Sequence, residues 1–160
     1  MAAVSLQVIS VALSVHFQAP LFSVPFAPSF LLLETRTDFE SVASDLSKKG
    51  VKAMAPASIV GKSGVKHEFA FAVLPDDGKV KVVVDTELSV KDVDEMKVLK
   101  FYVKVFDVSP EKAVLCVSPR LGGRATTLAK EYGIVVLEDD VPKKLVPMAA
   151  SLIEESIGIS

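Results

Sequence analysis

Four carboxylates are the residues of this sequence whose type and spacing could do chemistry. Glu68 lies near the start of one predicted strand, and Asp85 and Glu87 lie at the end of the next. Residues two apart in a strand face the same side, so Asp85 and Glu87 can point together, and Glu40 on a preceding helix could lie over the same spot. Converging carboxylates can hold Mg²⁺, which polarises a phosphate and activates water. The set predicts a magnesium-dependent phosphodiesterase with Asp85 and Glu68 as metal ligands. The alternative, which the spacing alone favours, is that these carboxylates are simply solvated.

A second group of residues is basic and could contact nucleic acid. Arg120 and Arg124 flank two glycines at the predicted start of the third helix. A helix N-terminus supplies free N–H groups and a partial positive charge, and arginine makes two-pronged contacts to phosphate oxygens. Our candidate nucleic-acid contacts are Lys62, Arg120, Arg124 and Lys130. The alternative is a solvated loop that carries two ordinary arginines.

The segment Gly61-Lys62-Ser63-Gly64 looks like the end of a phosphate-binding loop. Such a loop needs a glycine five residues before the Gly-Lys pair, where this chain has Pro56, and it must lead into a helix, whereas a strand is predicted next. We therefore expect a turn here and no bound nucleotide. We also expect His67 to make a structural hydrogen bond, since the pattern supplies no nucleophile or metal partner for it.

The elements that would position these residues follow from hydrophobic periodicity and turn signals. Thr37 and Glu40 form a capping box that predicts the start of a first helix, and Gly50 ends it. A strand at 51–54 and a turn-rich segment at 56–64 precede a hairpin of strands at 67–74 and 80–85. A second helix, largely buried, is predicted from Ser89 and Asp92 to about residue 106. Strands at 113–118 and 134–137 with a helix at 125–132 between them predict a parallel crossover, and a last helix spans 143–157. The fold class is therefore α/β, with a mixed central sheet flanked by helices.

Several segments, taken in this order of elements, carry a resemblance to a known family. They are Asp38-Phe39-Glu40, Gly61-x-Ser63-Gly64-x-x-His67-x-Phe69, Val82-Val83-Val84-Asp85-x-Glu87, and the apolar stretches at 113–117 and 125–134. Together they resemble the Mrr-like branch of the PD-(D/E)xK restriction-endonuclease superfamily, and archaeal proteins with this domain in particular. The resemblance covers about residues 37–139. It implies a restriction-endonuclease-like three-layer fold and an ancestry in magnesium-dependent DNA cleavage.

The chain departs from this family at two catalytic positions. Ala70 stands where the resemblance calls for a metal-binding aspartate, and Glu87 stands where it calls for the lysine that orients the attacking water. Asp85 matches the acidic residue of the second strand, and Glu40 matches a helix-one glutamate found in part of the family. One metal ligand and the lysine are therefore missing.

Two functional hypotheses follow from these departures. The first is a nuclease-superfamily domain with an eroded catalytic motif, which needs no cofactor and serves as a nucleic-acid-binding or scaffold protein, with double-stranded DNA as the expected ligand. The second is an active Mg-dependent deoxyribonuclease, in which Glu68 replaces the aspartate and Lys79 or Lys81 replaces the lysine. We favour the first.

Composition bounds these hypotheses. The 160 residues favour one domain, and a net charge of -2 argues against a protein that coats nucleic acid by charge alone. The single cysteine, Cys116, excludes an internal disulfide and a structural zinc site, and it favours a reducing, cytoplasmic setting.

The charges of the chain divide it into two regions. Residues 1–33 carry no charged side chain and form an apolar extension, and residues 34–160 form the domain. The extension lacks Lys or Arg near Met1, and polar residues and prolines interrupt it, so we expect no secretory signal and no membrane span. It could add an element to the domain, favour a homodimer, or make the chain a membrane-associated or protein-binding module.

Overall fold

The structure, a computed structural model, describes residues 28–159, with side chains from Leu33 onward. The extension predicted at residues 1–33 lies almost entirely outside this range, and only its end is seen, as the first turns of a helix. Within the described residues, no helix is both long enough and apolar enough to span a membrane.

The described residues form helices and strands in the order α1 (Pro28–Lys48), β1 (Ala53–Met54), β2 (Ala57–Val60), β3 (Lys66–Phe69), β4 (Phe71–Val73), β5 (Val82–Leu88), α2 (Glu95–Val108), β6 (Lys112–Ser118), α3 (Gly123–Glu131), β7 (Val135–Glu138) and α4 (Leu145–Ile157). A short 3-10 turn at Pro142–Lys144 leads into α4. Five strands form one sheet in the order β1-β4-β5-β6-β7, and β2 and β3 form a separate antiparallel pair.

The central sheet is mixed, as the sequence predicts. Strand β4 pairs antiparallel with β1 and with β5, whereas β6 pairs parallel with both β5 and β7. The β6–α3–β7 unit is thereby confirmed, and so is the hairpin between β4 and β5. The single strand predicted at 67–74 is wrong, because the segment is divided at Ala70 into β3, which pairs with β2, and β4, which belongs to the central sheet. Strand β6 is buried along nearly its whole length, and this explains its unbroken apolar sequence.

Helices cover both faces of this sheet. Helices α1 and α4 pack on one face through Phe39, Leu46, Leu145 and Ile153, which meet apolar residues of β4, β5 and β6. Helices α2 and α3 and the β2–β3 pair cover the other face, where Phe69 meets Phe101 edge to face with ring centroids 6.4 Å apart. The fold is therefore a three-layer α/β arrangement with one apolar core on each side of the sheet.

The segment predicted to be turn-rich contains a strand, β2. Its residues alternate between buried and exposed, with Ala57 and Ile59 facing the core. The run is only four residues long and lies between Pro56 and Gly61, so turn signals dominate it in the sequence.

Two helix starts also differ from the prediction. Helix α1 begins at Pro28, so Thr37 lies inside the helix, where its hydroxyl donates to the Leu33 carbonyl at 2.8 Å instead of capping a terminus. Helix α2 begins after Asp94, whose carboxylate accepts hydrogen bonds from the backbone N–H groups of Met96 and Lys97. Both sequence patterns indicate that a helix is present, but neither identifies the residue at which it begins.

Helix α2 is also less buried than its sequence predicts. Val98 and Phe101 are buried, but Met96, Val103 and Phe106 are 55%, 62% and 70% exposed. Apolar residues on all sides of a helix predict burial on all sides, and here only one side meets the sheet.

Candidate functional site

Asp85 lies on β5 and faces helix α2. Its carboxylate accepts a hydrogen bond from Lys104 Nζ at 2.6 Å, in an ion pair whose side chains are 23% and 30% exposed. The same ammonium donates to the Glu68 carbonyl at 2.8 Å and lies 5.2 Å from the centroid of the Phe69 ring. A cation supplied by the protein therefore occupies the position beside Asp85.

Glu87 has an equivalent partner. It lies two residues after Asp85 on the same side of β5, and Lys97 Nζ donates to its carboxylate at 2.9 Å. This hydrogen bond and the negative charge of Glu87 raise the pKa of Lys97. The two carboxylates predicted to point together do share one face, and each is paired with a lysine of α2.

The other two predicted carboxylates lie elsewhere. Glu68 accepts a hydrogen bond from Ser58 Oγ at 2.6 Å, and only its backbone carbonyl contacts Lys104. Glu40 is exposed on α1, in the layer across the sheet from α2, and pairs with Arg36 at 3.6 Å. The structure thus brings Asp85 and Glu87 to one face, but neither Glu68 nor Glu40 joins them there.

The described residues contain no preformed magnesium site around these carboxylates. Among residues 28–159, no group of three His, Cys, Asp or Glu side chains is placed to hold a metal ion. Mg²⁺ prefers oxygen ligands in octahedral geometry, whereas Asp85 offers a carboxylate already bonded to an ammonium. Lys81, proposed as a substitute lysine, pairs with Glu111 at 3.1 Å, and it lies four residues before Asp85, about 13 Å along the strand.

A cleft of about 460 Å³ opens beside Asp85, between α1 and the ends of β4 and β5. Ala70 lines it at the position where the sequence resemblance calls for a metal-binding aspartate, and a methyl group offers no ligand.

Cys116 is fully buried on the neighbouring strand, and burial together with the charge of Asp85 raises the pKa of its thiol to about 12. Its thiol is therefore protonated and provides no nucleophile.

A hydrogen-bond network that the sequence did not predict joins α2 to the turn between β2 and β3. Asp107 accepts from the Ser63 N–H at 2.8 Å, from Ser63 Oγ at 2.6 Å and from His67 Nε2 at 2.7 Å. These hydrogen bonds, those of Ser63 first, lower the pKa of Asp107 to about 2. The Ser63 hydroxyl donates to the carboxylate and not to His67, so the three side chains are not arranged as a nucleophile and its base, and the network is a structural clamp.

The clamp explains two features of the sequence. His67 makes a structural hydrogen bond, as predicted, and Gly61 is required because a Cβ atom there would overlap the Asp107 carboxylate. One signal for Asp107 was present. An acidic residue in the last turn of a helix opposes the helix dipole, so its presence indicates a specific partner.

The two arginines before α3 have acidic partners. Arg120 pairs with Asp92 at 3.1 Å and Arg124 with Glu95 at 3.4 Å, although the arginine side chains are largely exposed. Glu138 also accepts from the Leu121 N–H at 2.7 Å, just before the helix. Carboxylates of the chain thus already compensate the positive charge at this helix start.

The two candidate lysines are less compensated. Lys62 donates to the Ser109 hydroxyl at 2.6 Å, and Lys130 is exposed in the last turn of α3. Neither forms an ion pair with another residue in the range 33–159. These lysines are therefore the most available cations among the predicted nucleic-acid contacts.

Comparison with known proteins finds similarity at the level of the fold only. No family model and no curated protein matches the chain. Among solved structures, it is similar to AF1548, a protein of unknown function, with a TM-score of 0.52 and 13% identity over 76% of this chain and 67% of that one. It is also similar to VC1899 from Vibrio cholerae, with a TM-score of 0.51 and 15% identity over 76% of this chain and 33% of that one.

A third similar structure is Can2 from Sulfobacillus thermosulfidooxidans, solved in complex with cyclic tetra-adenylate. Its TM-score is 0.51 with 19% identity, over 74% of this chain and 36% of Can2. The chain thus spans about a third of the length of VC1899 and of Can2. At these identities the likeness concerns the three-layer fold alone.

Proposed function

We propose that this chain is a restriction-endonuclease-like domain with an eroded catalytic motif, which acts in the cytoplasm as a non-catalytic nucleic-acid-binding or scaffold protein. One observation carries the proposal. Lys104 Nζ lies 2.6 Å from Asp85, the carboxylate that matches the family's metal ligand.

The chemistry of the site supports the proposed loss of catalysis. Metal-dependent hydrolysis of a phosphodiester needs carboxylates that are free to bind a cation and a metal that activates water. Here Asp85 and Glu87 are each paired with a lysine, and Ala70 supplies no ligand. The charge of this site is balanced without a metal.

Nucleic-acid binding is supported by the cations that remain available. Lys62 and Lys130 carry no acidic partner in the described part of the chain, and Arg120 and Arg124 are exposed enough to exchange a carboxylate for a phosphate. Each phosphate contact adds about one unit to the dependence of log K on log salt. We expect weak, salt-dependent binding to a DNA duplex that involves a few such contacts.

The test combines cleavage and binding. Plasmid and short duplex DNA are incubated with Mg²⁺ or Mn²⁺ and either the wild-type protein or an Asp85→Ala, Glu87→Ala double variant. Binding of a labelled duplex is measured by fluorescence anisotropy at several salt concentrations, for the wild type and for Lys62→Ala and Lys130→Ala. Lys48→Ala is the matched control, because Lys48 is exposed on α1, on the other side of the sheet, and pairs with Asp45.

We expect no cleavage by either protein, and weaker binding with a smaller salt slope for the Lys62 and Lys130 variants only. Cleavage by the wild type that the double variant lacks would contradict the proposal and establish an active endonuclease. Absence of both cleavage and binding would leave the scaffold role alone. Cyclic tetra-adenylate, the ligand in the Can2 structure, is included as a competitor, and its binding would contradict our expectation that the chain holds no nucleotide.

A further inference from the structure

Helix α2 exposes an apolar stripe formed by Met96, Leu99, Val103 and Phe106. Three of these side chains are more than half exposed, Met96 at 55%, Val103 at 62% and Phe106 at 70%, and Leu99 is half-buried. Their spacing of three, four and three residues places them along one side of the helix. The stripe lies away from the sheet, since Val98 and Phe101 make the buried side of α2.

The outward sides of α1 and α3 have a different character. Helix α1 exposes charged and hydroxyl side chains such as Arg36, Glu40, Ser44 and Lys48, and α3 exposes Arg124, Thr126, Thr127 and Lys130. Solvent is the partner of those two helices, and polar residues suit it. A contiguous row of exposed Met, Val and Phe on a helix of the same domain indicates an interaction surface.

The apolar surface continues from α2 onto α3. The ring of Tyr102 stacks on that of Tyr132, with centroids 3.9 Å apart, and lies 6.1 Å from the ring of Phe106. Methionine and aromatic residues are enriched in the cores of protein interfaces, where charged residues are depleted. Phosphate is a poor partner for the row of Met96, Leu99 and Val103, because these side chains offer it neither a charge nor a hydrogen-bond donor.

We propose that the α2 stripe is the interface between two copies of this chain, packed antiparallel about a two-fold axis near the middle of the helix. The three-four-three spacing is that of a coiled-coil seam, which pairs best with a helix of the same spacing. An antiparallel pair places Met96 opposite the partner's Phe106 and Leu99 opposite the partner's Val103. The stripe is therefore complementary to itself, as a two-fold interface requires.

The available area fits a dimer that dissociates on dilution. The exposed fractions of Met96, Val103 and Phe106 correspond to about 350 Å² per copy, since large side chains have areas of roughly 150–250 Å². With the smaller exposed areas of Leu99 and Tyr102 included, complete burial of these side chains in two copies would remove at most about 1,000 Å² in total, the lower limit for a specific interface. This proposal does not depend on the function proposed above, because it predicts the oligomeric state of the chain and not nucleic-acid binding or cleavage.

The test is sedimentation equilibrium of the full chain from about 1 µM to about 200 µM, a range that brackets a micromolar dissociation constant. We expect a concentration-dependent dimer whose dissociation constant rises at least about 10-fold in Phe106→Glu and in Val103→Glu. Met148→Glu is the control, because Met148 is 37% exposed on α4, across the sheet, and we expect it to dimerise as the wild type does.

Circular dichroism checks that each variant is folded, and Phe106→Gln replaces Phe106→Glu if the charged variant is not. A second measurement locates the interface. A short bismaleimide should link copies of Val103→Cys and not copies of Met148→Cys, since the native Cys116 is buried and protected. A monomer at all concentrations, or a dimer that Phe106→Glu and Val103→Glu leave intact, would overturn the proposal.

Discussion

Replacement of Lys104 by methionine tests the central feature of the site. Methionine keeps most of the apolar length of the lysine side chain but removes the ammonium that lies over Phe69, so Asp85 and the Glu68 carbonyl lose their donor. A hydrogen bond to a charged group contributes about 1.5–3 kcal/mol, and breaking a fully buried ion pair costs about 3–5 kcal/mol. The pair here is partly exposed, at 30% and 23% for its two side chains, so the loss is smaller than for a buried pair. We expect the free energy of unfolding to fall by about 2 kcal/mol.

Lys97→Met is the matched control for this change. Lys97 lies on the same helix and pairs with Glu87 at 2.9 Å, but its side chain is 47% exposed. Exposed pairs contribute about 0–1 kcal/mol, so the expected loss is about 0.5 kcal/mol. Both variants remove one positive charge from the same helix. They differ in the exposure of the lysine, 30% for Lys104 against 47% for Lys97, and in the additional contacts of Lys104 with the Glu68 carbonyl and the Phe69 ring.

Urea unfolding followed by far-UV circular dichroism measures both losses, since the chain has no tryptophan for fluorescence. With a slope of about 2 kcal/mol per molar urea, Lys104→Met should lower the midpoint by about 1 M and Lys97→Met by about 0.25 M. Adding Asp85→Asn to Lys104→Met should cost little more, because the unpaired charge is then gone. Equal midpoint shifts for Lys104→Met and Lys97→Met would refute the claim that Lys104 balances a partly buried carboxylate.

Three further predictions concern single positions. Gly61→Ala should destabilise the fold by about 2 kcal/mol or more because its Cβ would overlap Asp107, whereas Gly123→Ala, with open space around it, should be neutral or stabilising; urea midpoints compare them. The pKa of Asp107 is lowered from 3.8 to about 2, so its hydrogen bonds stabilise the fold above pH 3.8 and are lost as the pH falls through 2. The difference in unfolding free energy between the wild type and Asp107→Asn should therefore shrink across that interval and stay constant above it. The Cys116 thiol, buried and with its pKa raised to about 12, should react with a thiol reagent only as fast as the protein unfolds, and rapid labelling of the native protein would contradict its burial.

The sheet could be predicted because its signals are local. The apolar run of β6 indicates a strand covered on both faces, and Asp76 to Lys79 between alternating segments indicates the turn of the β4–β5 hairpin. Strand β2 was missed for the same reason, since four residues between a proline and a glycine carry more turn signal than strand signal.

The partners of the site residues could not be predicted, because they are set by packing between distant segments. Asp85 and Glu87 are two apart on a strand, and Lys97 and Lys104 are seven apart on a helix, so each pair shares a face. Which lysine meets which carboxylate depends on the angle at which α2 crosses β5. The sequence does not fix that angle, although the two spacings together could have indicated that the pairs meet.

The two sides of α2 connect the carboxylates of β5 with the proposed interface. Two carboxylates on one face of a strand lie about 7 Å apart, and they repel each other unless neighbouring cations compensate their charges. In a metal-dependent enzyme the ion provides that charge, and the protein must leave space for it. Here Lys97 and Lys104 provide it, so Asp85 and Glu87 anchor α2 to the sheet. An anchored α2 then presents its apolar stripe in a fixed orientation, which a two-fold interface requires. If both proposals hold, weakening the anchor with Lys104→Met should also weaken the dimer, whereas weakening the dimer with Phe106→Glu should leave the stability of the separate copy unchanged.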